Sequence, residues 1–125
     1  MQNHRAWLNK AHNDLKGAKV LLRENINDLA VYHAHQSAEK ALKGLLSFFG
    51  KEPPRTHDLS YLLDRTMAHA SGMKEYREAC EFLSDLYVET RYPPDIPDYR
   101  KEDAQKAIEY ATRVLDAVNR IIATD

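Results

Sequence analysis

The amino-acid sequence predicts an all-α fold, an up-and-down helical bundle of four long helices plus one short helix, on three observations. Apolar residues recur at three- and four-residue steps along most of the 125 residues. No segment sustains the two-residue alternation of a half-buried strand. Four glycines and five prolines leave few places to break a helix. A chain of this size is expected to form one domain, residues 1–125, burying roughly two-thirds of its unfolded surface.

The first helix is expected over about residues 4 to 24, with Trp7, Ala11, Leu15, Ala18, Leu21 and Leu22 on one face. The Asn25–Asp28 segment breaks it. A second helix, about 28 to 49, carries Val31, Ala34, Ala38, Ala41, Leu42, Leu45 and Phe49 on its apolar face and stops at Gly50. Pro53 and Pro54 force an extended connection, after which Thr56 is the expected N-cap of a short third helix bearing Leu59, Leu62, Leu63 and Met67. Ser71 and Gly72 end it. A fourth helix, about 73 to 91, is expected to bury Tyr76, Ala79, Cys80, Leu83, Leu86 and Tyr87 before Tyr92-Pro93-Pro94 stops it. The stripe from Ala104 through Ile108, Ala111, Leu115 and Val118 to Ile122 marks the fifth.

Composition narrows the function classes. Eighteen basic and nineteen acidic residues give a net charge of -1, so no global field holds nucleic acid and any nucleotide or RNA binding must be local. The longest apolar stretch, Ala41 to Phe49, is interrupted by Lys43 and Gly44 and is far shorter than the ~20 residues of a membrane span. The first residues lack the pattern of a secretory signal, so a cytoplasmic location is expected. Cys80, the one cysteine, reads as a small buried packing residue. There is no Gly-rich phosphate loop and no internal repeat, and no cofactor is implied.

If all five helices alternate in direction, the ends of the second and fourth meet the starts of the third and fifth. Lys43, His57, Arg91, Tyr99 and Arg100 are then expected to converge at one pole. At 100° per residue, Tyr32, Gln36, Glu39 and Lys43 form a polar stripe within roughly sixty degrees on the second helix. The stripe is either a ligand-facing edge or a solvated flank with an i,i+4 ion pair between Glu39 and Lys43. His33 and His35, two apart, point about 200° from each other and cannot chelate one metal ion. His35 falls on the core side and is expected to be a buried histidine with a satisfied hydrogen bond. No metal site is expected.

His57 is expected in the first turn of the third helix, where the positive dipole end favours a neutral ring able to act as a general base; ordinary capping by this segment is the alternative. Arg91 either complements a helix C-terminus or clamps a phosphate.

Three ordered segments carry a family resemblance: Tyr32-His33-Ala34-His35-Gln36-Ser37-Ala38-Glu39-Lys40-Ala41-Leu42-Lys43, then Pro53-Pro54-Arg55-Thr56-His57-Asp58-Leu59, then Glu89-Thr90-Arg91-Tyr92-Pro93. With Trp7-Leu8, Ala11 and Asp14-Leu15 in the first helix, the chain resembles the HEPN domain family (higher eukaryotes and prokaryotes nucleotide-binding), in the branch associated with minimal nucleotidyltransferases. The resemblance implies a helical bundle, a homodimer, and a nucleotidyltransferase partner in a toxin–antitoxin-like pair. It further implies a nucleotide or RNA ligand held by Gln36, Glu39, Lys40, Lys43, His57, Arg91 and Tyr92. The ribonuclease branch of the family carries an Arg followed, after four to six residues, by a His. Here Arg91 is followed by Tyr92, Pro93, Pro94, Asp95, Ile96, Pro97, Asp98 and Tyr99, so that signature is absent. Binding is therefore the leading expectation. A metal-independent ribonuclease toxin using His57 and Arg91, and a structural protein-interaction bundle, are the alternatives.

Overall fold

The structure, a computed structural model, describes residues 3–87 and 96–124. Among the described residues five α-helices form: α1 (His4–Arg23), α2 (Asn27–Phe48), α3 (Leu59–Met67), α4 (Arg77–Leu86) and α5 (Lys101–Thr124), with a 3-10 helix over Ser71–Tyr76 leading into α4. There is no strand among the described residues.

The ends of α1 and α2 share one device. Asn25 (φ 62°) and Gly50 (φ 76°) occupy the left-handed region, which asparagine and glycine tolerate best. After each, the chain folds back: Ile26 N donates to Leu21 O and Lys51 N to Leu46 O, both at 2.9 Å, satisfying carbonyls the helix leaves open. The α1 start is closed by Asn3, whose side-chain oxygen accepts from Arg5 N.

Helix α2 is the axis of the bundle, with α1, α3, α4 and α5 all packed on it. Small residues let α1 approach closely. Ala11, Ala18, Ala34 and Ala38 are fully buried, and Ser37 Oγ donates to Ala11 O at 2.8 Å. A Cβ added at Gly44 would lie 3.1 Å from Trp7 Cβ, so a side chain there would require α1 to give way by a few tenths of an ångström. Leu42, Leu45, Leu62, Leu63, Met73, Leu83, Val114 and Leu115 complete a fully buried core. Cys80 belongs to it, and burial pushes its thiol up to about 12, as a packing residue requires.

Helices α1, α2, α4 and α5 alternate up and down among themselves, which makes α4 antiparallel to α2, whereas alternation of all five helices would have made these two parallel with their ends together. Ser37 meets Ala11 across α1 and α2, Tyr99 OH donates to Leu86 O where α4 hands over to α5, and Tyr110 and Arg120 of α5 reach Glu78 and Tyr76. The short α3 does not join this alternation. Residues 49–58 double back along α2 until His57 reaches Glu39, and α3 then runs parallel to α2 until His69 stacks on Phe49, ring centroids 5.3 Å apart. Ten extended residues can span up to ~33 Å, whereas the α2 segment retraced, Glu39 to Phe48, rises only ~14 Å. The connection is long enough to reverse direction by itself.

The expected sorting of helix ends is corrected accordingly. The start of α5 lies at the start of α2, where Asn27 Nδ2 donates to Tyr99 O at 3.1 Å, and not at the α2 C-terminus. Three local expectations also change. Asp58 caps α3, its side chain accepting from Tyr61 N, while Thr56 Oγ1 accepts from Asp58 N. His57 thus precedes the helix and lies outside its first turn. The fourth helix is shorter than predicted, because Ser71–Tyr76 is 3-10 and Tyr87 is already extended (ψ 126°).

Candidate ligand cleft

Three of the four residues of the polar stripe of α2 are buried; Tyr32, at its start, is exposed. Glu39 and Lys43 are 4% and 7% exposed, and Gln36 is buried beside them, so this is no solvated flank. Glu39 carries two partners on one carboxylate: Lys43 Nζ donates to Oε2 at 3.0 Å, and His57 Nδ1 donates to Oε1 at 2.9 Å. Because an ionised carboxylate only accepts, this bond puts the His57 proton on Nδ1 and makes Nε2 the acceptor of the neutral ring. Glu39 therefore sets the orientation of His57. The Lys43 ammonium also sits 5.7 Å from the centre of the Trp7 ring, which brings α1 into contact with the network.

His57 is half-exposed at the edge of a cleft of about 490 Å³ lined by His35, Arg55, Thr56, Asp58, Ser84 and Tyr87 in addition to His57 itself. The volume lies within the range of small-molecule sites. Its inner wall is aromatic. The Tyr87 ring stacks on His35 with centroids 3.8 Å apart, and Tyr32 stacks beyond it at 6.1 Å.

His35 is in the core, as its position on α2 predicts, but its hydrogen bond is not satisfied as expected. Nδ1 has no hydrogen-bond partner among the described residues, since Glu39 Oε1 stands 4.0 Å away. Burial, with the nearby His57 as a lesser cause, pushes His35 down to about 3, so the ring is neutral at neutral pH. Ser84 Oγ, on the facing turn of α4, is likewise buried and unpartnered.

Of the residues singled out in the sequence, the structure brings Glu39, Lys43 and His57 together, with Tyr32 against Tyr87. Lys40 turns the other way: its Nζ donates to Asp14 Oδ2 on α1 at 2.5 Å, where His33 also binds the same carboxylate. His33 and His35 thus occupy opposite sides of α2, as their spacing requires. Tyr99 and Arg100 immediately precede α5, at the other end of α2. Arg91 and Tyr92 lie outside the described residues. Sequence reasoning missed His35 Nδ1, Ser84 and Arg55 as cleft groups; the usable signal for Ser84 was its position three residues before Tyr87 on a helix edge.

Comparison with known proteins agrees with this architecture. The HEPN domain family profile matches residues 4–121. A protein of Methanocaldococcus jannaschii named "Putative toxin MJ1304" is 29% identical over 127 residues, covering 90% of this chain and 83% of that protein. The crystal structure of ST0689, described as an archaeal HEPN homologue, superposes with a TM-score of 0.79 at 32% identity, over 98% of this chain and 99% of that one. TT1696 from Thermus thermophilus gives a TM-score of 0.85 at 29% identity, covering 96% and 98%. No helix among the described residues is long and apolar enough to cross a membrane. With its profile matched along nearly its whole length, this chain belongs to the HEPN domain family.

Proposed function

We propose that the protein binds a nucleotide or RNA in the cleft beside His57, as a homodimer and as partner of a minimal nucleotidyltransferase in a toxin–antitoxin-like pair. The observation that carries this reading is the Glu39 carboxylate, buried and shared between Lys43 and His57, which fixes the His57 ring at the edge of a cavity of ligand size. Lys43 is nearly inaccessible and already paired, so it acts through Glu39 as a positioning residue. Direct contacts fall to His57 and to Arg91 with Tyr92, where the sequence pattern of the family places cations and an aromatic ring. Gln36 shares the buried stripe of Glu39, and Lys40 braces α2 against α1 through Asp14. The homodimer is supported by Val20, Ile26, Leu29 and Tyr32, apolar or aromatic side chains 38–45% exposed on α1, α2 and the turn between them. Calorimetric titration with ATP, GTP and a short RNA tests the site: an Arg91→Ala variant is expected to bind at least about tenfold more weakly, as losing a charge-assisted contact implies. Unchanged affinity removes Arg91 from it.

One observation favours a second reading. A buried carboxylate that accepts from His57 Nδ1 orients the ring as a general-base histidine is oriented, which a metal-independent ribonuclease needs. The Methanocaldococcus jannaschii relative carries a toxin's name. On this reading, expression of the chain arrests growth and His57→Ala relieves the arrest. Arrest that persists in His57→Ala excludes His57 as the base.

A further inference from the structure

The net charge of -1 conceals an uneven distribution. Helix α1 holds Arg5, Lys10, Lys16, Lys19 and Arg23, five of the chain's eighteen cations, but Asp14 alone of its nineteen carboxylates. That acid is already engaged, part-buried against α2 and bonded to both Lys40 and His33. At 100° per residue, Arg5, Asn9, His12, Lys16, Lys19 and Arg23 fall within ~80° of one another, and Asp14 lies on the opposite side of the helix. All six are exposed. The side chains of Arg5, Lys16, Lys19 and Arg23 make no hydrogen bond or ion pair with any described residue, whereas Lys40, Arg77 and Arg113 are each held by a carboxylate. The result is a row of cations along the solvent face of α1, ~27 Å from end to end. It runs on the flank next to α5, where His12 Nε2 and Asn119 Nδ2 meet at 3.2 Å.

This arrangement costs the free helix stability, because like charges three and four residues apart, as in Lys16, Lys19 and Arg23, repel. An anionic strand laid along the row relieves the repulsion. Two other anionic partners fit less well. A helix lying in a membrane surface must bury an apolar face in the lipid, and that face of α1, with Leu8, Ala11, Leu15 and Ala18, is already buried in the core. A protein interface is built round aromatic and apolar anchors and is depleted in lysine. Here the one exposed large apolar side chain of α1 is Val20, about 60° round the helix from Arg23. Cations in a line, with the amide of Asn9 and the ring of His12 between them, match instead the regular charges and oxygen acceptors of a phosphodiester backbone.

We infer that the exposed face of α1 is a docking surface for the backbone of single-stranded RNA, with Arg5, Lys16, Lys19 and Arg23 as its phosphate contacts. The surface is separate from the cleft beside His57, which no residue of α1 lines, and it does not depend on the cleft being a ligand site.

The test is the anisotropy of a labelled, unstructured RNA of about 20 nucleotides titrated with the full chain between about 50 and 200 mM salt. Four phosphate contacts on a single strand predict a slope of log K against log salt of about -3. In the combined Arg5→Gln, Lys16→Gln, Lys19→Gln, Arg23→Gln variant, whose exposed glutamines keep the helix propensity and whose helix content is checked, affinity at the lowest salt should fall at least about tenfold and the slope should rise above about -1. A control with the same loss of charge elsewhere, Lys74→Gln, Lys101→Gln, Lys106→Gln, Arg113→Gln, should keep the wild-type slope, as should His57→Ala. Titration with ATP and GTP reports the cleft and should be the same in wild type and the α1 variant, so the two readings fail separately. No binding of RNA by wild type at the lowest salt, an unchanged slope in the α1 variant, or an equal loss of slope in the control overturns the inference. Binding of polyglutamate or of phosphatidylserine vesicles as tightly as RNA overturns it too, since the face would then not select a phosphodiester strand.

Discussion

Replacing Glu39 with Ala is expected to lower the unfolding free energy by about 3–5 kcal/mol, because it strands a buried ammonium. Lys43 is 7% exposed, with Trp7 near its ammonium and Glu39 Oε2 at 3.0 Å. Without the carboxylate its charge must either remain uncompensated or break the packing of α1 on α2 to reach water. Had the stripe been a solvated flank, the same change would remove an i,i+4 pair worth only about 0.2–0.5 kcal/mol. Urea unfolding separates the two by an order of magnitude. A Glu39→Gln/Lys43→Met double variant should recover much of the loss, since an uncharged pair of similar shape needs no compensation. A loss below about 1 kcal/mol in Glu39→Ala would show that the pair is not buried in solution.

The second large effect is acid sensitivity from His35. Its folded pKa is lowered from 6.5 to about 3, chiefly by burial and secondarily by His57, with Glu39 the nearest carboxylate. The folded state therefore binds fewer protons than the unfolded state between these values. Stability from this group is fully present above about pH 6.5 and is lost as the pH falls toward 3, at up to about 1.4 kcal/mol per pH unit within the window. Urea midpoints measured from about pH 7 down to about pH 5 should fall for wild type. They should fall distinctly less for His35→Phe, which keeps a ring against Tyr87 and has nothing to protonate. Equal slopes in the two proteins would mean that His35 is hydrated or already charged in the fold.

Much of the fold was legible because three of its helices carry uninterrupted apolar stripes. Helices α1, α2 and α5 need no tertiary information beyond a face to bury, and the first two end at Asn25 and Gly50, residues that tolerate the required backbone. Direction was harder. Pro53 and Pro54 showed where the second helix could not continue, but not that ten residues would retrace α2 and carry α3 parallel to it. That single reversal moved the expected meeting point from one pole of the bundle to the flank of α2.

The site divides along the same line. The Glu39–Lys43 pair follows from helical spacing alone, whereas its burial depends on α1 and on the 49–58 connection closing over it. His57 was expected near Lys43 from helices that alternate in direction, whereas the 49–58 connection brings it beside Glu39 with α3 parallel to α2. His35 was correctly assigned to the core, yet the sequence could not tell that Tyr87 would leave α4 to cover its ring while Nδ1 stayed unpartnered. A polar residue at a core position predicts a partner on general grounds.

The central assignment is the cleft at His57 as the ligand site, and a calorimetric titration of wild type and His57→Ala with ATP, GTP and a short RNA tests it most directly. His57 is half-exposed and its removal leaves the Glu39–Lys43 pair in place, so the variant should fold. Wild type is expected to bind at least one of the three, with affinity reduced about tenfold or more in His57→Ala. Binding of equal strength in both proteins, or none in wild type, would contradict it.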